Sequence, residues 1–368
     1  MKKIILSGGG TGGHIYPAVA VAEALLRDAA LCGEEIEILF VGADGKMEME
    51  KIPALGYRIE GVPIAGLQRR MDWHNILVPY KVVKSIRRAK QIIREFGADV
   101  VAGFGGYASA PVLWAAQHMG IPTLIQEQNS YAGLTNKILA KRAKRICVAY
   151  EGMERFFPKE KITMTGNPLR GKFAKGGTDR REALEYFGFT DKKPVILEVG
   201  GSLGTRTLNN MLKRWTAELQ GESPVQVIWQ TGKFYEKEMK EHLAKYPNKE
   251  VWQGAFIERM DYAYEAADLV ISRSGACTVS ELCLVGKPTL FVPSPNVAED
   301  HQTKNAMALV EKGAAVMVKD SEAVEQAMEE ALRLVNDPRK LDSLSQNIEK
   351  LAIQDSAERI VRELKKIW

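Results

Sequence analysis

Short apolar runs that close in glycine-rich turns restrict this chain's fold more than any other feature. In the first half the runs cover residues 3–8, 37–42, 99–105, 122–128 and 145–150. In the second half they cover 194–201, 225–232, 268–275, 288–294 and 314–318. Helical patterns lie between them, as over 17–30, 80–95 and 108–119. Strand and helix in alternation specify βαβ units with a parallel sheet, here built twice. The runs are almost continuously apolar, as strands are when helices cover both faces. At about 150 residues per domain, 368 residues make two domains. The stretch 166–180, rich in Gly, Pro and charge, marks the link, so the expected domains are 1–165 and 166–349. Leu344, Ile348, Leu351, Ile360 and Leu364 recur at helical spacing and predict closing helices over 339–368.

No apolar run approaches the roughly 20 residues that cross a bilayer. The start, MKKIILSGGG, has too short an apolar core for an export leader. Cys32, Cys147, Cys277 and Cys283 are scattered and form no C-x-x-C pair, so neither zinc nor a disulfide framework is expected. A reducing cytoplasm fits this cysteine usage. No G-K-[ST] or H-E-x-x-H motif occurs, which excludes a Walker loop and the common zinc-protease site. No D-x-D occurs either, so helix starts and side chains, not a metal, are expected to meet any diphosphate.

Ligands of doubly wound sheets bind beyond the carboxyl ends of strands. Four such ends carry glycine turns: Gly8–His14, Gly103–Tyr107, Gly200–Gly204 and Ser272–Gly275. Amides at the start of the following helix favour anions, above all phosphate. Gly8, Gly10 and Gly13 also match G-x-G-x-x-G, which leaves a nicotinamide-dependent oxidoreductase as a rival reading. The acid that such a site needs is misplaced, because Asp44 comes too late. A helix is expected to start near Ala276, with the amides of Ala276, Cys277 and Thr278 in its first turn. Glu281, one turn on, can accept two hydrogen bonds from a cis diol such as a ribose. Together they describe a nucleotide diphosphate. The polar segment Asn296–Asn305, with His301 and Gln302, suits sugar hydroxyls.

Charge is uneven within the net +5: residues 68–95 hold eight basic and two acidic residues. On a helical wheel of 80–94, Val82, Ile86, Ala89 and Ile93 form a core stripe, and basic residues fill the remainder. Trp73, Ile76, Leu77 and Tyr80 beside Lys81, Lys84 and Arg88 suit an anionic membrane surface. A solvated helix beside ordinary core residues is the plainer reading. Nucleic acid ranks low, since no nucleic-acid motif accompanies the charge.

The segments GGGTGGHIYPAVAVAEAL (8–25), GFGGYASAP (103–111), QEQNSYAGLTNKILA (126–140), GNPLR (166–170), GGSLGTRTLN (200–209), SRSGACTVSE, GKPTLFVPSP and HQTKNA resemble the MurG family of bacterial glycosyltransferases in order and spacing. The resemblance spans essentially the whole chain. It implies an α/β GT-B fold, two Rossmann-like doubly wound domains facing across a cleft. Its helix 350–368 would rejoin the N-terminal, acceptor-binding and membrane-associating domain. It also implies a peripheral enzyme on the cytoplasmic face of the cell membrane, with other cell-wall synthesis proteins as further partners. The implied reaction moves N-acetylglucosamine from UDP-N-acetylglucosamine to the 4-hydroxyl of the muramoyl sugar of lipid I, with inversion, giving lipid II without metal or cofactor. Rivals on the same fold are a nucleotide-sugar epimerase and a soluble glycosyltransferase.

Carried over by motif, the donor would meet Arg170, Ser202, Ile257, Ala276, Cys277, Thr278, Glu281, His301 and Gln302. His301 stands where some relatives have glutamine. Thr11, Gly12, Gly13 and Asn129 would lie near the transferred sugar. Gly10, Thr11, His14, Gly105, Gly106 and Tyr107 would take the acceptor diphosphate. His14 is the expected general base, because imidazole titrates in the right range, with Glu127 in reserve.

Overall fold

The computed structural model of the chain describes residues 1–63, 78–169, 178–201, 203–219 and 222–368. The chain divides into two compact units, Met1–Gly171 with Ile353–Trp368, and Lys172–Ala352.

In the first unit the strands are β1 (Lys2–Ser7), β2 (Ile36–Ala43), β3 (Ile59–Val62), β4 (Val100–Gly103), β5 (Thr123–Glu127), β6 (Arg145–Val148) and β7 (Ile162–Met164). The helices are α1 (Gly12–Cys32), α2 (Glu48–Ala54), α3 (Val78–Phe96), α4 (Ser109–His118) and α5 (Leu134–Leu139). The strands form one parallel sheet in the order β3-β2-β1-β4-β5-β6-β7. Chain direction across the sheet reverses between β1 and β4, the switch point of a doubly wound fold.

The second unit repeats the plan. Its strands are β8 (Val195–Val199), β9 (Gln226–Gln230), β10 (Val251–Gly254), β11 (Leu269–Ser272), β12 (Thr289–Phe291) and β13 (Val316–Met317). Its helices are α6 (Arg180–Tyr186), α7 (Arg206–Glu218), α8 (Glu236–Lys245), α9 (Met260–Ala266), α10 (Ala276–Val285), α11 (His301–Val310), α12 (Asp320–Val335) and α13 (Pro338–Glu349). The order β10-β9-β8-β11-β12-β13 puts its switch point between β8 and β11.

The apolar runs are buried on both faces. Ile5, Val41, Val101 and Ile125 pack under α3 and α4, while Ile4, Leu6, Phe40 and Val100 pack under α1. Three strands outside the expected runs, β3, β7 and β10, lie at sheet edges. Such strands pair on one side only and need no continuous apolar sequence. The helix α1 starts at Gly12, ahead of the expected residue 17. Thr11 takes extended backbone there (φ −147°, ψ 156°), and its carbonyl accepts from the His14 and Ile15 amides at 3.1 and 3.2 Å.

The stripe expected on α3 is corrected. Ser85, Ala89, Ile92, Ile93 and Phe96 are buried, whereas Val82 and Val83 are each 46% exposed. The sheet covers only the C-terminal two-thirds of α3, so the apolar face ends before Val82. Arg88 turns into the fold and pairs with Glu60 at 2.6 Å. Trp73, Ile76 and Leu77 lie outside the described residues, as does the Tyr80 side chain. Among the described residues no helix is long and apolar enough to cross a membrane.

The last helix, α14 (Ser356–Lys365), belongs to the first unit and packs on α1. Ile360, Val361 and Leu364 enter the core beside Leu25 and Leu124. Lys365 meets Asp28 at 2.5 Å and Glu34 at 3.0 Å, and Arg145 meets Glu363 at 3.1 Å. These pairs are partly exposed and set register more than stability. Burial of Ile360 is complete, so Ile360→Ala should remove roughly 2–5 kcal/mol from the first unit's stability in urea denaturation.

Candidate functional site

Both switch points carry glycine loops. In the first unit the loop after β1 runs into α1, and the loop after β4 lies against it. Gly106 (φ +82°) has no room for a side chain, because a Cβ there would overlap the Gly9 carbonyl. Gly105 (φ +88°) lets the His14 ring approach, with Nε2 3.0 Å from where a Cβ would stand. His14 sits in the first turn of α1, half-buried. Its Nδ1 lies 3.0 Å from the Gly9 carbonyl and 3.2 Å from Thr11 Oγ1. A carbonyl only accepts, so Nδ1 carries the proton, and in the neutral ring Nε2 carries the lone pair. Gly12 and Gly13 open α1, and Tyr107 is 62% exposed beside them in sequence to Gly106.

Glu127 closes β5 and is buried. One oxygen accepts from the Asn129 amide (3.1 Å) and Nδ2 (3.3 Å), the other from the Gly133 amide (3.1 Å) and Asn136 Nδ2 (2.8 Å). Three donors from the following loop and one from α5 thus converge on it, which makes it the organiser of residues 127–136. Asn129 is held there by both its amides. Gln128 ties this loop to the previous one, donating from Nε2 to the Phe104 carbonyl at 2.6 Å. The Gly10 amide donates to Glu48 Oε2 at 3.0 Å, so it points into the protein.

In the second unit a cavity of about 500 Å³ opens at the β8–β11 switch point. Gly200, Gly201, Gly204 and Thr205 line one side, Gly275 and Thr278 of the α10 start another, and Ser294, Asn296 and Gln302 a third. Its size is that of a small-ligand site. The N-cap of α10 is Gly275 and its first turn holds no acidic residue, so the positive end of the helix faces the cavity undiluted. Gln302 accepts from the Ser294 amide at 2.8 Å through Oε1, and its backbone carbonyl accepts from Ser274 Oγ at 2.8 Å. Glu299 (φ 52°) and Asp300 (φ 53°) take left-handed backbone just before α11, a strained turn that places Gln302.

Several expected donor residues stand off the cavity wall. Ile257 is buried, and His301 directs Nε2 toward Glu299 at 3.7 Å. Ala276 and Cys277 begin α10 without lining the cavity, and burial pushes the Cys277 thiol up to about 12. Glu281 lies one turn further in, partly buried, against Tyr264. Burial pushes its carboxyl up to about 7, and the hydrogen bond from Tyr264 draws it back. Arg170 and Ser202 lie outside the described residues.

Sequence reasoning missed a charge cluster on the cavity floor. Arg273 pairs with Asp320 at 2.6 Å and donates to the Val292 carbonyl at 2.7 Å, and both side chains line the cavity. Beneath them Glu198, fully buried at the end of β8, is pushed well above the usual carboxylate range by burial, against the pull of Arg273. A glutamate inside an apolar strand run was the available signal. Among the described residues no group of His, Cys, Asp and Glu could hold a metal.

Comparisons with known proteins follow these two sites. A model described as the glycosyltransferase family 28 N-terminal domain matches residues 4–148, and one for the family 28 C-terminal domain matches 195–360. A Parabacteroides distasonis protein is 53% identical over 99% of this chain and 98% of its own length. It is named UDP-N-acetylglucosamine--N-acetylmuramyl-(pentapeptide) pyrophosphoryl-undecaprenol N-acetylglucosamine transferase. A Bacteroides thetaiotaomicron protein of the same name is 53% identical over 99% of this chain and 97% of its own. The crystal structure of Acinetobacter baumannii MurG superposes with a TM-score of 0.79 at 30% identity, covering 100% of both chains. A Neisseria meningitidis UDP-GlcNAc 2-epimerase bound to UDP-GlcNAc reaches 0.66 at 15% identity over 100% of both, a likeness of fold alone.

The Tyr264–Glu281 contact can be checked directly. In Tyr264→Phe the donor that favours the ionised carboxylate is gone, so Glu281 should titrate above about 7, followed by carboxyl-carbon NMR of the labelled protein.

Proposed function

The chain belongs to glycosyltransferase family 28, among the transferases named for N-acetylmuramyl-(pentapeptide) pyrophosphoryl-undecaprenol, and we propose how its residues divide that work. The enzyme transfers N-acetylglucosamine from UDP-N-acetylglucosamine to lipid I, forming lipid II. Identity of 53% to transferases outweighs the fold-level likeness to an epimerase, and it sets the nicotinamide reading aside.

The observation that carries the residue assignment is the second-unit cavity, a glycine loop facing a helix start with no acidic residue in its first turn. The UDP diphosphate rests on the Gly200–Gly204 loop and the α10 start, with Thr278 beside it. Glu281 accepts both hydroxyls of the ribose when ionised. Asn296 and Gln302 read the sugar. Leaving-group charge develops against the helix start and the loop amides, and donors placed there are worth roughly 3 kcal/mol each, while Arg273 is held by Asp320 on the cavity floor. Arg170, Ser202, Ile257 and His301 retain their motif-based assignment to the donor.

The first unit takes the acceptor. The α1 start with Thr11–Gly13, and Gly105 to Tyr107, meet its diphosphate. His14 Nε2 removes the proton of the 4-hydroxyl as oxygen attacks the anomeric carbon and UDP leaves from the opposite face. Glu127, saturated by its own loop, positions Asn129 instead of acting as base. On α3, Val82 and Val83 with Lys81, Lys84 and Arg87 face an anionic membrane surface on its cytoplasmic side. Arg88, paired with Glu60, takes no part in that surface.

His14→Ala should keep UDP-N-acetylglucosamine affinity and lose roughly 10²–10⁴ in turnover with a lipid I analogue. Near-normal turnover sinks the base assignment. Glu281 sets a pH dependence: its carboxyl is protonated below about 7, so donor affinity should weaken as pH falls through that value. Calorimetric titration of UDP-N-acetylglucosamine would show this in the wild type, and Glu281→Gln should be weak and flat across the same range.

A further inference from the structure

A carboxylate that none of the motifs includes lies behind the Gly8–His14 loop. Glu48 opens α2 and is completely buried. Its Oε2 accepts from the Gly10 amide at 3.0 Å, and its Oε1 accepts from the Ala43 amide at the end of β2, also at 3.0 Å. Two glycines make room for it. A Cβ on Gly9 would overlap Oε1, and one on Gly42 would sit 2.5 Å from Cγ. One side chain thus clamps the loop after β1 to the end of the neighbouring strand. Gly9 is confined from the other side by Gly106, and its carbonyl is the partner of His14 Nδ1.

We propose that Glu48 is a positioning residue for the transfer reaction, aiming the Gly9 carbonyl at His14 Nδ1 and so fixing the tautomer whose Nε2 is basic. The proposal rests on His14 as general base. A histidine's working nitrogen is set by what the other nitrogen meets. Here that partner is a backbone carbonyl in a glycine loop, which has no stiffness of its own. Glu48 supplies it through two charge-assisted hydrogen bonds in a buried place, where a lost acceptor is costly. The carboxylate charge and the carbonyl dipole both favour the imidazolium that forms when His14 takes the proton.

Glu48→Gln tests this. The amide keeps the shape but has one acceptor, and its NH₂ must face an amide N–H. With folding checked by thermal melting, kcat should fall about tenfold or more. KM for UDP-N-acetylglucosamine should stay within about twofold, since the donor site is elsewhere. The acidic limb of the kcat–pH profile should move to lower pH, because both groups that favour protonated His14 are lost or displaced. In a His14→Ala background the same change should cost nothing further. If Glu48→Gln fails to fold, Glu48→Asp decides by the same readouts, with kcat reduced and KM held. Unchanged kcat and acidic limb in a folded variant, or fully additive losses in the double variant, overturn the role of Glu48 while His14→Ala stays inactive. Normal turnover by His14→Ala alone overturns the base assignment first, and this proposal with it.

Discussion

Backbone meeting backbone closer than any side chain permits is the constraint on which both halves of this molecule depend. In the first unit Gly106 lies on the Gly9 carbonyl, and in the second Gly204 lies on the Thr231 carbonyl. The first contact joins the loops after β1 and β4, across the switch point, and the second joins the loops after β8 and β9. The consequence is chemical: with side chains absent, amides and helix starts form the surface that a ligand meets. Parallel strands buried on both faces bring these loops together, so the core that holds each sheet also sets the spacing of its own loops.

The two sheets and their covering helices were legible because burial on both faces demands continuous apolar runs, and residues such as Ile4 to Leu6 and Val195 to Leu197 comply. The edge strands β3, β7 and β10 were not, since half-paired strands carry residues like Glu60 and Gln253 that no run marks. On α3 the wheel gave the right period and the wrong end. Periodicity tells which residues share a face, but not how far along the helix the sheet reaches, so Val82 was taken for core. Around the glycine turns, local placement was readable: His14 lies in the first turn of α1, Thr278 in that of α10 and Gln302 in that of α11. Residues that reach a site from another element were not. Arg273 pairs with Asp320 47 positions away, and Glu48 reaches Gly10 from 38.

The same fold plan is thereby given two chemistries. In the second unit the first turn of the helix holds no acid, and Glu281 is set one turn back, where burial pushes its carboxyl up to about 7. Arg273 and Asp320 cancel on the cavity floor, so the field there comes chiefly from the helix and the loop. That suits the donor role proposed for this cavity, which asks it to hold a diphosphate and then stabilise its growing charge as it leaves. In the first unit the helix start carries His14 in its first turn, and a buried carboxylate stands behind the loop in place of a cation.

This difference matches the roles proposed for the two halves. A donor site gains from positive potential throughout, because charge builds on UDP as the bond breaks. A base gains from the opposite, since it must become a cation in the transition state, and a helix start nearby would oppose that. Glu48 holds the Gly10 amide, in the same peptide as the Gly9 carbonyl that meets Nδ1, and so counters the α1 dipole without putting an acid on the face proposed for the acceptor's phosphates. A carboxylate on the open side of the loop would repel them. Buried behind Gly9 and Gly10, it reaches the imidazole through one peptide carbonyl and leaves the loop's outer face to the acceptor in the proposed arrangement.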